Sequence, residues 1–358
     1  MDTQTETLNQ NQSILQKKPI WQAHPYLINS LILLVALILS VTVGSIYIPL
    51  QNILHLLLKP LLNLNIVDAP FYSTILFTVR LPHTILVCLT GAALASSGAA
   101  YQGLFRNPLA DPYLIGVASG AGLGAVVALG ISWPSTVLGW LSIPVAAFVG
   151  ATITVWLVYS LASVNRSVPT TTLILAGVAV SSFATALTSF VMLRSKDEVH
   201  RALSWLLGGS PMSGWAPVWA AFPYIMIGLI ALWLFSHALN VLQFGEEQAQ
   251  QLGIHVERTK LMIILAASLT TAAAVSFSGL IGFIGLIVPH MMRLLWGTDY
   301  KRLIPLSVLG GGSALLLADL LARVVLAPQV LPVGIVTALA GAPFFLWLLR
   351  RAKDQLYW

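Results

Sequence analysis

Phe244–Lys260 reads FGEEQAQQLGIHVERTK, the most polar internal run of a chain that is otherwise almost entirely apolar. The 44 residues Ala202–Gly245 hold no Asp, Glu, Lys or Arg, and Leu261–Met292 holds none either. A charged island between such runs has to lie outside hydrocarbon, where water or a protein partner solvates it. Glu246 and Glu247 open the island, where negative charge suits a helix N-terminus, and Arg258 and Lys260 close it. Ala249, Leu252 and Val256 fall at i, i+3 and i+7 as a narrow apolar stripe, and Gly253 is placed to split the run into two short helices. Two readings stand: a solvated loop, or a small amphipathic element at the membrane face that docks onto another protein.

Working outward, composition places the whole chain in lipid. Charged residues make up 8% and hydrophobic ones 57%, against about 25% charged in an ordinary soluble domain. Mean hydropathy is +0.86. The fold class expected is an all-α polytopic membrane protein. A single cysteine, Cys88, excludes an internal disulfide and a multi-cysteine metal site. The net charge of +6 comes from basic residues scattered between apolar runs, which reads as membrane topology and not as nucleic-acid binding.

The spans follow from the gaps between charges. Residues 1–25 form a polar, cytoplasmic tail, and the run Tyr26–Ile48 is too long for the core of a signal peptide, so it is the first span. Pro49–Tyr72 is an outer loop with room for a short interfacial helix. Leu81–Phe105 is a second span, and the 54 uncharged residues Pro112–Asn165 hold two more, turning at Ser132-Trp133-Pro134. Thr171–Leu193 and Trp215–Leu239 follow, with Arg194–Gly214 as an outer loop between them. Leu261–Met292 is long for one span and short for two. Placing both termini inside requires an even number, so it is read as two short spans broken near Gly279 and Gly282. Leu303–Leu326 and Val333–Leu349 complete about ten, within a transmembrane domain of residues 26–351 and ahead of a C-terminal tail, 352–358. On this layout twelve of the eighteen Lys and Arg residues fall inside and six outside, as the positive-inside rule requires.

Chemistry-bearing motifs are few. No lysine precedes Ser or Thr, so there is no phosphate-binding loop and no ATP site of the chain's own. Gly120-Ala121-Gly122-Leu123-Gly124 lies inside a predicted span and follows no strand. Gly116, Gly120 and Gly124 are read instead as small residues that let helices approach, as are Gly91, Ala95 and Ala99, and Gly310–Gly312. Of the intramembrane acids, Asp111 is placed to cap the span after it, and Asp319 to pair with Arg323 four residues on. The seven histidines show no ligand-like spacing, Pro289-His290 marks a helix irregularity, and no paired groups point to catalysis.

RLP at Arg80–Pro82, GAALASSGAAYQGLFRNPLADPYLIG at Gly91–Gly116 and LILAGVAV at Leu173–Val180 resemble the FecCD-type permeases, the membrane subunits of type II ABC importers for iron chelates, haem and cobalamin. LGIHVERTK in the island, SGLIGFIGLIVPHMMRLL, LLLADLLAR and LPVGIVTALAGAPFFLWLLRR extend the resemblance over roughly residues 30–351. It implies a type II ABC importer permease fold of ten spans in a bacterial cytoplasmic membrane. It also implies a second permease subunit, identical or paralogous, separate ATPase subunits that bind the ATP and magnesium, and an extracytoplasmic solute-binding protein. The cargo implied is a ferric siderophore, with haem or cobalamin as alternatives. The island resembles the family's ATPase-coupling helices, which assigns coupling to Glu246, Ala249, Leu252, Gly253 and Val256. Arg80 and Arg323 resemble arginines that meet glutamates of the binding protein, and a family position that is commonly Arg is here His83. On charge alone the two arginines read equally well as lipid-facing anchors.

From another class, an ion-coupled secondary transporter competes: it would act alone on an ion gradient, whereas the importer reading requires ATP and a partner. The topology makes the first prediction. A cysteine introduced at position 250 is expected to stay unlabelled by an impermeant reagent in intact cells, whereas one introduced in Arg194–Gly214 is labelled. External labelling at 250 refutes the ten-span layout.

Overall fold

The structure is a computed structural model that describes residues 24–44, 46–62, 70–131, 137–163, 167–194, 198–209 and 214–356. The turn expected at Ser132-Trp133-Pro134 and most of the N-terminal tail fall outside them.

Hydrocarbon offers no partner for a backbone N–H or C=O, so a chain this apolar closes its hydrogen bonds within helices. Among the described residues, seven helices are long and apolar enough to cross a membrane, and three shorter apolar ones accompany them. They coincide with the ten expected spans. The first is α1 (Pro25–Thr42), after which α2 (Leu50–Leu62) lies in the loop expected over Pro49–Tyr72. Pro70–Thr74 and a π-helical stretch, Ile75–Arg80, lead without a break into α3 (Leu81–Leu104). Next come α4 (Val117–Leu129), α5 (Val137–Ala162), α6 (Thr170–Arg194), the short α7 (Val199–Leu206) and α8 (Trp215–Leu234). The island region contributes α9 (Ser236–Leu242) and α10 (Glu246–Gln251). Finally, α11 (Val256–Ser278), α12 (Ile284–Trp296), α13 (Tyr300–Val324) and α14 (Val333–Leu356) close the chain.

The centre of the bundle is α3, where every residue from Thr90 to Leu104 is buried. A helix covered on all sides must be thin, and GAALASSGAA is the thinnest run in the chain. Around it stand α8, α11, α12 and α13. A Cβ at Gly91 would land on the carbonyl of Gly311 in α13, and one at Gly98 on that of Gly285 in α12. Gly120 and Gly124 do the same for α4 against Gly150 and Ala146 of α5. Ser97 donates to Ala267 O at 3.1 Å, and Tyr101 Oη lies 2.7 Å from Ser268 Oγ, which fixes α3 against α11 in register.

Between α11 and α12 the helix is broken as expected. Gly279 and Phe283 both take left-handed conformations, with φ of 79° and 68°. The freed backbone is paired from two other elements: Tyr113 Oη accepts from Ile281 N at 3.1 Å and donates to Ile281 O at 2.9 Å, and Leu280 N donates to Trp205 O. Pro289 leaves α12 continuous but removes the N–H that would bond Gly285 O, the carbonyl packed on Gly98. Asp111 caps a 3₁₀ turn, Pro112–Ile115, accepting from Tyr113 N at 2.8 Å, and not the span expected: α4 begins after Gly116, whose φ of 87° ends that turn.

Gly98→Val is expected to force α3 and α12 apart at a cost of about 1–3 kcal/mol or more, read as a lower melting temperature in detergent. Gly282→Ala, whose new methyl meets nothing within 4 Å, should melt like the parent. Equal stability of the two variants would show that the Gly98 contact is not required.

Candidate functional site

Two polar clusters stand at opposite ends of the bundle, separated by the length of α13, about 35 Å. The first is built on the closing turn of α1. The last carbonyls of any helix lack intrahelical donors. Arg80, at the end of the π-helical stretch and 7% exposed, donates to Val41 O at 2.7 Å and Thr42 O at 3.1 Å, and also to Ile46 O. Arg323, from the last turn of α13, donates to Ser40 O and Val43 O at 3.2 Å and to Ser40 Oγ at 2.9 Å. The guanidinium groups converge: a Cβ at Gly44 would lie 2.6 Å from Arg80 Nη2 and 3.4 Å from Arg323 Nη1. Two like charges at this separation are offset by the negative end of the α1 dipole and by Asp319. Asp319 pairs with Arg323 Nε at 2.9 Å, four residues on, and with His83 Nε2 at 2.9 Å from α3.

The second cluster is the island. Gly245, with φ of 118°, breaks the chain after α9, and Glu246 and Glu247 open α10. The helix closes at Gly253, φ 84°, by paired bonds from Gly253 N to Gln250 O and from Ile254 N to Ala249 O, both 2.9 Å. Around this turn Lys260 pairs with Glu246 at 2.8 Å and with Glu257 at 3.4 Å. Gln243 donates to Gly103 O at 2.9 Å, and Asn240 bridges to Asp299 and Tyr300 at 2.6 and 2.8 Å, so the island is fastened to α3 and α13. Partial burial pushes the Asp299 carboxyl up. The Asn240 amide, the Lys301 N–H and the Arg302 and Lys301 charges outweigh it and hold the group below the usual carboxylate range.

These positions correct two expectations about the site residues. Ala249, Leu252 and Val256 do not share a face: Ala249 is fully buried and Val256 is 2% exposed, whereas Leu252 is 68% exposed. The i, i+3, i+7 spacing assumed one helix, and the left-handed Gly253 ends that helix between Leu252 and Val256. What remains outward is Leu252 with the exposed Gly253 beside it, and Phe244 at 72% exposure, while Glu246 is drawn into the Lys260 pair. Arg80 and Arg323, expected to reach outward, turn inward onto α1, and His83 alone of that trio keeps an appreciably open side chain, 36% exposed. The structure nonetheless gathers all three with Asp319 at one point. The Asp319–Arg323 pair was legible from i, i+4 spacing. The Asp319–His83 pair and the capping of α1 were not, because no local pattern links positions on different helices. Among the described residues no three His, Cys, Asp or Glu side chains gather as a metal ion would require.

Comparison with known proteins agrees with this arrangement. The chain is 43% identical over 328 residues to the uncharacterized ABC transporter permease protein YvrB of Bacillus subtilis (strain 168), spanning 91% of this chain and 93% of the relative. It is 49% identical over 278 residues to the cobalamin import system permease protein BtuC of Halobacterium salinarum, spanning 78% of this chain and 74% of the relative. To the hemin transport system permease protein HmuU of Yersinia pestis it is 39% identical over 305 residues, spanning 84% and 90%. Among solved structures, an inward-facing conformation of a transporter assigned to the metal-chelate type of ABC transporters superposes with a TM-score of 0.77 at 30% identity, covering 90% of this chain and 97% of that one. The FecCD transport family itself matches residues 32–351. That match begins inside α1 and ends inside α14, so the chain from first span to last belongs to the FecCD transport family, as an ABC importer permease.

Proposed function

We propose that this permease, paired with a second permease subunit, carries a metal chelate into the cell, driven by ATPase subunits docked on the island and supplied by a solute-binding protein at the arginine end. The observation that supports the reading is Leu252, a large apolar side chain 68% exposed beside the turn at Gly253 in the charged island, where a partner's pocket would cover it. The positive-inside census supports a cytoplasmic position for this turn and for both termini. A second subunit is supported by α6, the least covered of the long helices: 17% of its apolar window is buried, against 67% for α11. The cargo read from the sequence is a ferric siderophore. The relatives named for cobalamin and haemin supply the alternatives, and all three share a metal held in a large organic ligand.

The experiment is ATP-dependent uptake in proteoliposomes that contain the permease, its ATPase and its binding protein, offered ferric siderophore, haem and cobalamin in turn. One of the three is expected to be carried. Leu252→Asp places a charge in the docking pocket and is expected to weaken ATPase association about 10-fold or more and to abolish uptake. Normal substrate-stimulated hydrolysis in that variant refutes docking at Leu252.

At the other end, Arg80→Lys separates two roles. A lysine offers a point charge and not a fork of donors, so orphaned carbonyls of α1 are expected to cost about 1–3 kcal/mol. A lower melting temperature follows, with binding-protein affinity little changed. Unchanged melting with weaker, salt-sensitive docking would instead make Arg80 a direct contact.

A further inference from the structure

Lys260 is 5% exposed, an unusual place for an ammonium group unless it is fully engaged. Its Nζ joins three separate pieces of chain. It lies 2.8 Å from Glu246 Oε1 at the start of α10, lies 3.4 Å from Glu257 Oε1 in the first turn of α11, and donates to Val168 O at 3.3 Å in the segment that enters α6. Glu257 doubles the last connection, accepting from Val168 N at 3.1 Å and from Ser167 Oγ at 3.2 Å. The short docking helix is therefore tied through one buried cation to the entrance of α6. Along its length α6 buries Leu173, Gly177, Ala184 and Thr188 within this chain, and Leu175, Phe183, Phe190 and Leu193 stand 59–79% exposed on the side left for the second subunit. The carboxylates sit at 41% and 34% exposure while the lysine is enclosed, so the junction is fixed on the Lys260 side and open on the carboxylate side.

We propose that Lys260 is a positioning residue that passes displacement of the docking turn to the entrance of α6, linking ATP hydrolysis in the partner to movement of that helix. This rests on the reading of the island as the ATPase-docking element. It concerns what happens after docking: Lys260 itself is buried and offers no surface to the partner.

The test uses the assembled complex of permease, ATPase and binding protein in proteoliposomes, comparing the parent with Lys260→Met, Lys260→Arg and Glu257→Gln. Lys260→Met keeps the bulk of the side chain and removes the charge. It is expected to leave ATP hydrolysis within about 3-fold while lowering transport per ATP at least 10-fold, with Lys260→Arg recovering most of the loss. Spin labels at Leu175 on α6 and Leu317 on α13, both on exposed faces, report the motion directly. Their separation should change on adding ATP to the parent and stay fixed in Lys260→Met. Unchanged transport per ATP, or an undiminished label shift, overturns the proposal. Loss of co-purifying ATPase also overturns it, because Lys260 would then serve docking. Should Lys260→Met fail to accumulate in the membrane, Glu257→Gln, which weakens the bonds to Lys260 and to the entrance of α6, is judged by the same criteria. Failure of the unmodified complex to transport on ATP would refute the docking reading itself, a separate outcome.

Discussion

Every backbone hydrogen bond in lipid has to be closed by protein, and the arrangement of this molecule follows from where the helices fail to close their own. Two such places among the described residues show it. At the end of α1 the unpaired carbonyls draw in Arg80 and Arg323, and Asp319 and His83 follow to balance the charge. At the break between α11 and α12 the free groups of Leu280 and Ile281 are met by Trp205 and Tyr113. Both repairs come from helices distant in sequence, so each helix end pins a different part of the bundle. The polar clusters are thus the residue of a geometric demand, and function has been built where that demand placed charge.

The small residues of α3 make these repairs reachable. With carbonyl against glycine at Gly91–Gly311 and Gly98–Gly285, the axes come close enough for Ser97 and Tyr101 to bond across to α11. A bulkier α3 would hold its neighbours apart and leave the serine and tyrosine hydroxyls without partners in an apolar medium, a penalty paid at each site.

What was legible in the sequence was whatever lipid enforces locally. Span positions, the short helix in the Pro49–Tyr72 loop and the break at Gly279 all follow from charge-free runs and turn residues. So does the Asp319–Arg323 pair. The island was recognisable as a docking candidate, but its exposed face was misread, because a periodic stripe was carried through Gly253, where the helix ends. The direction of the arginines was beyond local reading altogether: Arg80 and Val41 are 39 positions apart, and His83 and Asp319 are 236 apart. Only the packing of α1, α3 and α13 decides whether such a side chain meets lipid, solvent or carbonyl.

The π-helical stretch Ile75–Arg80 holds one more residue per turn than the helix it feeds, with Leu81 N reaching back to Leu76 O and Phe77 O taken by the indole of Trp215 at 2.8 Å. Deleting one residue there would restore an ordinary helix and swing everything before it by about 100° around the axis, leaving Arg80 and the rest of α3 unmoved. The stretch is a register joint. On its far side the chain answers to α1 and α2, where Leu76 is buried with Val41, Ile48 and Ile53, and on its near side to the buried bundle.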